Sequence, residues 1–99
     1  MVRVSIQVDQ SIAIGQSLTV TPTDIDRNGV RVIARGQIVG GPTDGERISS
    51  VHELSTGQSL HLGPHVVVTL IESDGVDALF GVLAPKHIGV RSLGTTEPE

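Results

Sequence analysis

A segment of twelve residues occurs twice in this chain of 99 residues. Residues 10–21 read QSIAIGQSLTVT, and residues 58–69 read QSLHLGPHVVVT. Five of the twelve positions are identical, and three more exchange one aliphatic side chain for another. Self-similarity at a fixed spacing is the mark of a fold built from two like units that bury their apolar faces together. We therefore predict an internal duplication.

A turn dipeptide follows the repeated segment in each copy, Asn28-Gly29 in the first and Asp74-Gly75 in the second. Both dipeptides suit the positive φ angles of a tight hairpin turn. Gly75 comes slightly sooner after its copy of the segment than Gly29 does after the first copy. If the two glycines are equivalent, the sequence predicts that the second copy is two residues shorter between its second and third strands.

The duplication predicts two repeats with one shared core. We place the first repeat at 1–48, the second at 49–92, and a flexible tail at 93–99, where the sequence is polar and contains Gly and Pro. A single unit of about 50 residues buries too little apolar surface to offset its conformational entropy, so two units must share a core. The chain has no Cys, so neither a disulfide nor a thiolate zinc site can stabilise it.

The composition favours strands over helices. Val, Ile and Thr together supply 31 of the 99 residues, and these β-branched side chains pack well on a pleated surface. The chain begins with a clean alternation in which Val2, Val4, Ile6 and Val8 face one way. No window has the apolar spacing of an amphipathic helix. We therefore predict an all-β fold, a small pseudo-symmetric sandwich or barrel with little or no helix.

The apolar runs are too short for a membrane protein. No uninterrupted run, such as the valine triplet at 66–68, exceeds three residues, whereas a membrane span needs about 20 apolar residues. The first residues also lack the charged start and apolar stretch of a signal peptide. We expect a protein of the cytoplasm, or of a virus particle assembled there, that is neither secreted nor in a membrane.

The second copy carries two motifs in the order of a known family. It reads GQSLHLG at 57–63 and APKHIGVR at 84–91, and the first copy reads DQSIAIG at 9–15. The chain thus resembles the carbon storage regulator family of small RNA-binding translational regulators, as two degenerate tandem copies. The resemblance implies protomers of about five short strands that interlace as a dimer. Two fused copies would then form the same sandwich from one chain.

The RNA-binding positions of that family are largely lost. The resemblance implies an Arg on the first strand, where this chain has Ile6 and Leu54, and another at the end of the last strand, where it has Ser92. Arg91 is displaced by one residue, which on a strand turns the side chain to the opposite face. The first copy has no Ala-Pro-Lys triplet and reads Gly-Gly-Pro at 40–42. The resemblance therefore supports the fold better than it supports the function.

Basic side chains are few, and the formal net charge is −4. Five of them are candidate contacts for RNA or for an acidic partner: Arg31, Arg35, Arg47, Lys86 and Arg91. The alternative is that they are solvent-facing residues of amphipathic strands, balanced by nearby acidic residues. The only aromatic residue, Phe80, leaves no stacking platform of the kind that many single-strand binders use.

Neither metal chemistry nor catalysis has a strong pattern. His61 and His65 flank a turn and could approach a divalent metal together, but no third ligand has suitable spacing. Asp24 and Asp26 lie beside a turn, where acidic residues are common turn formers. No hydrolase, phosphate-loop or zinc-protease motif is present. We expect no enzyme, no cofactor, no bound metal and no small-molecule substrate.

Strand edges and a loop are the predicted functional features. An apolar β-module with a single Lys has few charges to protect its outer strands from pairing with another chain. We expect a structural or protein-interaction module in a homo-oligomer or larger assembly, such as a decoration protein of a virus particle. The alternative is a diverged RNA-binding regulator. The predicted interaction loop consists of Gly40, Gly41, Pro42, Thr43, Asp44 and Gly45.

Overall fold

A computed structural model describes residues 2–38 and 45–93 of the chain. These residues form nine strands, joined by turns and loops, and contain no helix. The all-β prediction is therefore confirmed. Short turns join most of the strands, in keeping with the distribution of Gly, Asp and Asn. The strands are β1 (Val2–Ile6), β2 (Ser11–Ile14), β3 (Leu18–Ile25), β4 (Gly29–Gln37), β5 (Arg47–Ser55), β6 (Ser59–His61), β7 (Val67–Ser73), β8 (Ala78–Leu83) and β9 (Val90–Leu93).

The strands form two antiparallel sheets. Sheet A has four strands in the order β1-β8-β7-β6, and sheet B has five in the order β5-β4-β3-β2-β9. Two pairings join strands that are distant in sequence: β1 with β8, and β9 with β2. Each sheet therefore contains strands from both halves of the chain, and the halves are interlaced.

The register of sheet A repeats that of sheet B at the spacing of the duplicated segment. Ile12 pairs with Val20 across β2 and β3, and the equivalent Leu60 pairs with Val68 across β6 and β7. The β3–β4 and β7–β8 hairpins shift register at equivalent places, between Pro22 and Asp24 in the first half and at 70–72 in the second. The similarity of the two segments thus extends to their bulges, which redirect side chains and increase the local twist.

The two hairpin loops have equal length, so the predicted shortening of the second copy is wrong. The amide of Asp26 donates to the carbonyl of Gly29 at 2.8 Å, and the amide of Asp74 donates to that of Asp77 at 3.1 Å. The counterpart of Gly29 is therefore Asp77 rather than Gly75. Gly75 has φ 95°, whereas Gly29 lies outside the left-handed region and begins β4. The shared glycine of the two dipeptides is a coincidence of composition.

The core lies between the sheets and is one continuous cluster. It includes Ile12 and Ile14 from the first half and Leu70 and Phe80 from the second, all fully buried. Along β3 and β4, buried side chains alternate with half-buried or exposed ones, which is the period-2 pattern of a half-buried sheet. Burying apolar area is the main stabilising contribution to such a fold, at about 25 cal/mol per Å².

Two of the predicted core residues lie at the surface. Val4 and Ile6 are buried, but Val2 is 44% exposed and Val8 is 41% exposed. β1 is an edge strand that ends at Ile6, so its ends have no neighbour to cover them. The predicted alternation is therefore correct for Val4 and Ile6 and wrong for the outer two valines.

Two predicted regions are only partly described. Residues 40–44 of the predicted loop and 94–99 of the predicted tail lie outside the described residues, while Gly45 is described and exposed. The predicted boundary between the repeats, at 48 and 49, falls within β5.

Candidate functional site

A row of side chains crosses the outer face of sheet B. The register aligns one residue from each strand, in the order Ser49, Arg35, Thr19, Ala13 and Arg91. Ala13 is only 4% exposed although it faces away from the core, where Ile12 and Ile14 point. Small side chains therefore form the middle of this row, and an arginine stands on either side of them.

Two grooves open at one end of sheet B and share Ser17 and Gln37. One groove extends to Arg91, and the other is lined by Arg35 and Arg47. The amide of Gln37 donates to the carbonyl of Ser17 at 2.9 Å, which fixes the two shared residues relative to each other. None of the described residues that line the grooves is acidic. We call Arg35, Arg47 and Arg91 the arginine face.

The other two predicted basic candidates lie elsewhere. Nη2 of Arg31 is 3.0 Å from Oε2 of Glu53, its cross-strand neighbour, and the two side chains are 52% and 73% exposed. Such an exposed pair contributes about 0–1 kcal/mol to stability. Lys86 lines a separate groove with Val2 and Ile88. The structure thus brings together three of the five candidates and leaves Arg31 and Lys86 apart.

The strand β5 forms one edge of sheet B. All nine of its residues pair with β4 in unbroken register, and only Leu54 is buried. The amide of Ile38 donates to the carbonyl of Glu46 at 2.8 Å, just before β5 begins. This bond shows which residues of β5 direct their backbone groups toward β4. In an antiparallel ladder alternate residues bond to the neighbour. Residues 48, 50, 52 and 54 therefore bond to β4, and the odd residues from 47 to 55 direct their backbone groups outward.

We call these five outward residues of β5 the β5 edge. Within the described residues no strand lies beyond β5 in sheet B. The strand contains no Pro, no Lys and no bulge, which are the usual devices that protect an edge strand from pairing. Val51, in the middle of the edge, is 61% exposed. The amide of Ser55 already donates to Oε1 of Gln58 and its carbonyl accepts the amide of Gln58, so the β5 edge is open to another strand over residues 47–53.

The sequence predicts interactions through strand edges without identifying β5. A signal is available in the sequence: along 47–55 only Ile48, Val51 and Leu54 are apolar, and polar residues occupy the other six positions. A strand that contributes so little to the core is typical of an edge. The Gly, Pro and Asp residues of the loop at 40–45 are easier to recognise in the sequence, so the sequence favours that loop as the interaction site instead.

The positions at which the resemblance implies arginines hold buried aliphatic side chains. Ile6 is 1% exposed and Leu54 is 5% exposed, and each belongs to the core cluster. An unpaired guanidinium at either place would carry a large desolvation cost. Ser92 is exposed on β9. The register also makes Gly36, rather than the predicted residues 40–42, the first-half counterpart of Ala84.

The histidines are spread over the surface. His61, His65 and His87 are exposed, and the half-buried His52 has its Nε2 at 2.7 Å from the hydroxyl of Ser50. Among residues 2–38 and 45–93, no group of three His, Cys, Asp or Glu side chains is placed to hold a metal ion. His61 and His65 therefore have no third ligand within the described residues.

One carboxylate has a shifted pKa. Oδ1 of Asp74 accepts the amides of Asp77 at 2.7 Å and Val76 at 2.8 Å, in the loop between β7 and β8. These backbone hydrogen bonds favour the charged form and lower the pKa of Asp74, with a smaller contribution from the charge of Arg27. The group closes a turn, so the shift belongs to the loop and not to a reactive site.

Comparison with known protein families, with curated proteins and with solved structures gave no match for this chain. No helix that could cross a membrane occurs in the part of the chain that the structure describes. The arginine face and the β5 edge are the two surface features from which a function can be inferred.

Proposed function

We propose that this chain is a non-catalytic protein-interaction module that binds a partner strand along the β5 edge. The observation that carries the proposal is the row of outward backbone groups on β5, beside the exposed side chain of Val51. A strand added there would satisfy these donors and acceptors and would cover Val51. Main-chain hydrogen bonds would give affinity, and alternate side chains would give specificity.

The distribution of polar groups supports a role without catalysis. No polar or charged side chain is buried among the described residues. Catalytic acids, bases and nucleophiles are usually tuned by partial burial beside a charged neighbour. Among the carboxylates of the described residues, only Asp74 has a shifted pKa, and it serves a turn.

An assembly of repeated subunits is the setting that we propose for this module. Strand addition can be repeated from one molecule to the next, as in an oligomer or on the surface of a virus particle. The interlaced halves support a rigid building block, because each sheet includes strands from both. The proposal of a virus particle is an analogy and depends on the fold class alone.

Val51→Pro tests the use of the β5 edge. The amide of Val51 points away from β4, so proline removes an outward donor without breaking the sheet. Val51→Thr is the matched control, since it keeps the donor and the β-branched shape. Chain immobilised on a resin should capture proteins from a lysate of the source cells, with capture retained by Val51→Thr and reduced about ten-fold by Val51→Pro. Equal capture by Val51→Pro would exclude the edge.

RNA binding at the arginine face is a second candidate function. It is favoured by the grooves that Arg35, Arg47 and Arg91 line together, in which no described side chain is acidic. Guanidinium groups match the geometry of phosphate oxygens, and small residues between them would let a backbone approach. This candidate corresponds to a diverged RNA-binding regulator, with its contacts on the outer face of sheet B.

A titration with an RNA hairpin that has a GGA loop, at low salt, tests this candidate. Arg47→Ala and Arg91→Ala should each weaken binding and each lower the dependence on salt by about one counterion. Arg3→Ala is the control, because Arg3 is exposed on sheet A and lies opposite Gly81. A flat titration with the unaltered chain would exclude RNA, and an equal effect of Arg3→Ala would exclude this face.

A further inference from the structure

The charges on the β5 edge are arranged symmetrically about Ser50. Arg47 lies three residues before Ser50, and Glu53 lies three residues after it. Both have outward backbone groups and side chains on the outer face of sheet B, where one carboxylate oxygen of Glu53 also binds Arg31 of its own chain. A strand with opposite charges at equal distances from its centre is complementary to an antiparallel copy of itself.

We propose that the strand added at the β5 edge is the β5 strand of a second copy of this chain, with a twofold axis at Ser50. This inference rests on the proposed use of the β5 edge and names the partner. Arg47 then lies opposite Glu53 of the second copy, and Ser49 lies opposite Val51 of the second copy. Both are pairs of odd residues, so their outward donors and acceptors meet. The axis makes each contact occur twice.

The neighbouring registers lack the charge pairs. Only registers that match odd residues with odd residues allow the outward backbone groups to bond. Centring the pair on Val51 places Arg47 opposite Ser55, and centring it on Ser49 places Arg47 opposite Val51. Neither register brings Arg47 to Glu53. The axis at Ser50 is therefore the register that the charges select.

The apolar surface of the edge agrees with the same register. Val51, which is 61% exposed in the middle of β5, lies diagonally across from Val51 of the second copy on the same face of the sheet. Two copies of sheet B then form one continuous sheet. Exposed ion pairs contribute little, so backbone bonds and the valines must stabilise the dimer. We expect a monomer–dimer equilibrium that depends on concentration.

Ser50→Cys tests the position of the axis. The unaltered chain has no Cys, so the new thiol is the only one. Residues opposite each other without hydrogen bonds have Cα atoms about 4.5 Å apart, which lies within the range of a disulfide. The oxidised variant should run as a covalent dimer of twice 10.4 kDa. Ser55→Cys is the control, because its mate in this register lies about 30 Å away. Equal cross-linking of the two variants would overturn the register.

Charge reversal tests the pair between Arg47 and Glu53. Arg47→Glu alone and Glu53→Arg alone place like charges together, and each should weaken self-association about ten-fold in sedimentation. A mixture of the two variants restores opposite charges at both contacts, so it should form a heterodimer. Arg3→Glu, which changes an exposed arginine on sheet A, is the control and should leave the equilibrium unchanged. Failure of the mixture to associate would overturn the pairing.

The outcomes separate this inference from the proposed function. One outcome is that the chain stays at 10.4 kDa at all concentrations while Val51→Pro still abolishes capture of other proteins. That result would exclude a second copy as the partner and would support binding of other proteins at the β5 edge. If a dimer forms and Val51→Pro leaves it unchanged, the edge is wrong for self-association. A dimer that is lost in Val51→Pro and cross-linked through Ser50→Cys supports both.

Discussion

The hydroxyl oxygen of Ser11 lies 2.7 Å from that of Thr21, across β2 and β3. The same bond occurs in the second half between the equivalent residues Ser59 and Thr69, also at 2.7 Å. The first bond is partly buried, and the second is exposed. The two hydrogen bonds have the same length but different solvent exposure, so their contributions to stability in the two halves can be compared directly.

Ser11→Ala should therefore destabilise the chain more than Ser59→Ala. A hydroxyl pair contributes about 1 kcal/mol net, and the loss is larger where water cannot replace the missing partner. Urea unfolding of the two variants measures the difference. A loss for Ser59→Ala as large as that for Ser11→Ala would contradict the difference in burial.

Ile14→Asp and Leu62→Asp should be similarly disruptive. Ile14 is fully buried and Leu62 is 2% exposed, at equivalent places in the two halves. Each variant would bury an unpaired carboxylate, at a cost of about 3 kcal/mol or more. Far-UV circular dichroism and thermal unfolding measure the outcome, with the exposed Gln16→Asp as control. Normal stability in either core variant would show that the halves do not share a core.

Gly36→Ala should prevent normal folding. Gly36 has φ 129°, and a Cβ at this position would lie 1.8 Å from the carbonyl oxygen of Ser17. Backbone strain and overlap of this kind cost about 3 kcal/mol or more. Gly89→Ala is the control, because a Cβ there meets no atom within 4 Å, and it should change stability by less than about 1 kcal/mol. Similar unfolding midpoints for the two variants would contradict the close approach of β3 and β4.

Acid should loosen the loop between β7 and β8 through Asp74. The folded-state pKa of Asp74 is lowered by the amides of Asp77 and Val76, so its stabilising effect is present above the ordinary value of 3.8 and is lost as the pH falls through the folded-state value. Nuclear magnetic resonance of the carboxyl carbon should show this group titrating below 3.8. Asp74→Asn keeps the acceptor and should remove this part of the acid dependence. Titration of Asp74 at or above 3.8 would contradict the hydrogen bonds.

The sequence predicts the all-β class because β-branched residues and the alternation around Val4 are local signals. It fails at Gly29 and Gly75, since matching letters do not determine which backbone groups bond across a turn. The arginine face could not be predicted, because Arg35 and Arg91 are aligned only by the pairing of β9 with β2. Pairings between distant strands are set by the whole fold, and no local pattern contains them.

The exchange of strands between the halves has a consequence for folding. Val4 has no cross-strand partner until Phe80 is in place, and Ile14 lacks its outer neighbour until Val90 arrives. Loops this long must close before the contacts that stabilise them can form, which slows folding and discourages partly folded states. Neither half can therefore fold first as an intermediate on which the other half then forms. The chain should therefore fold slowly, in a single cooperative transition.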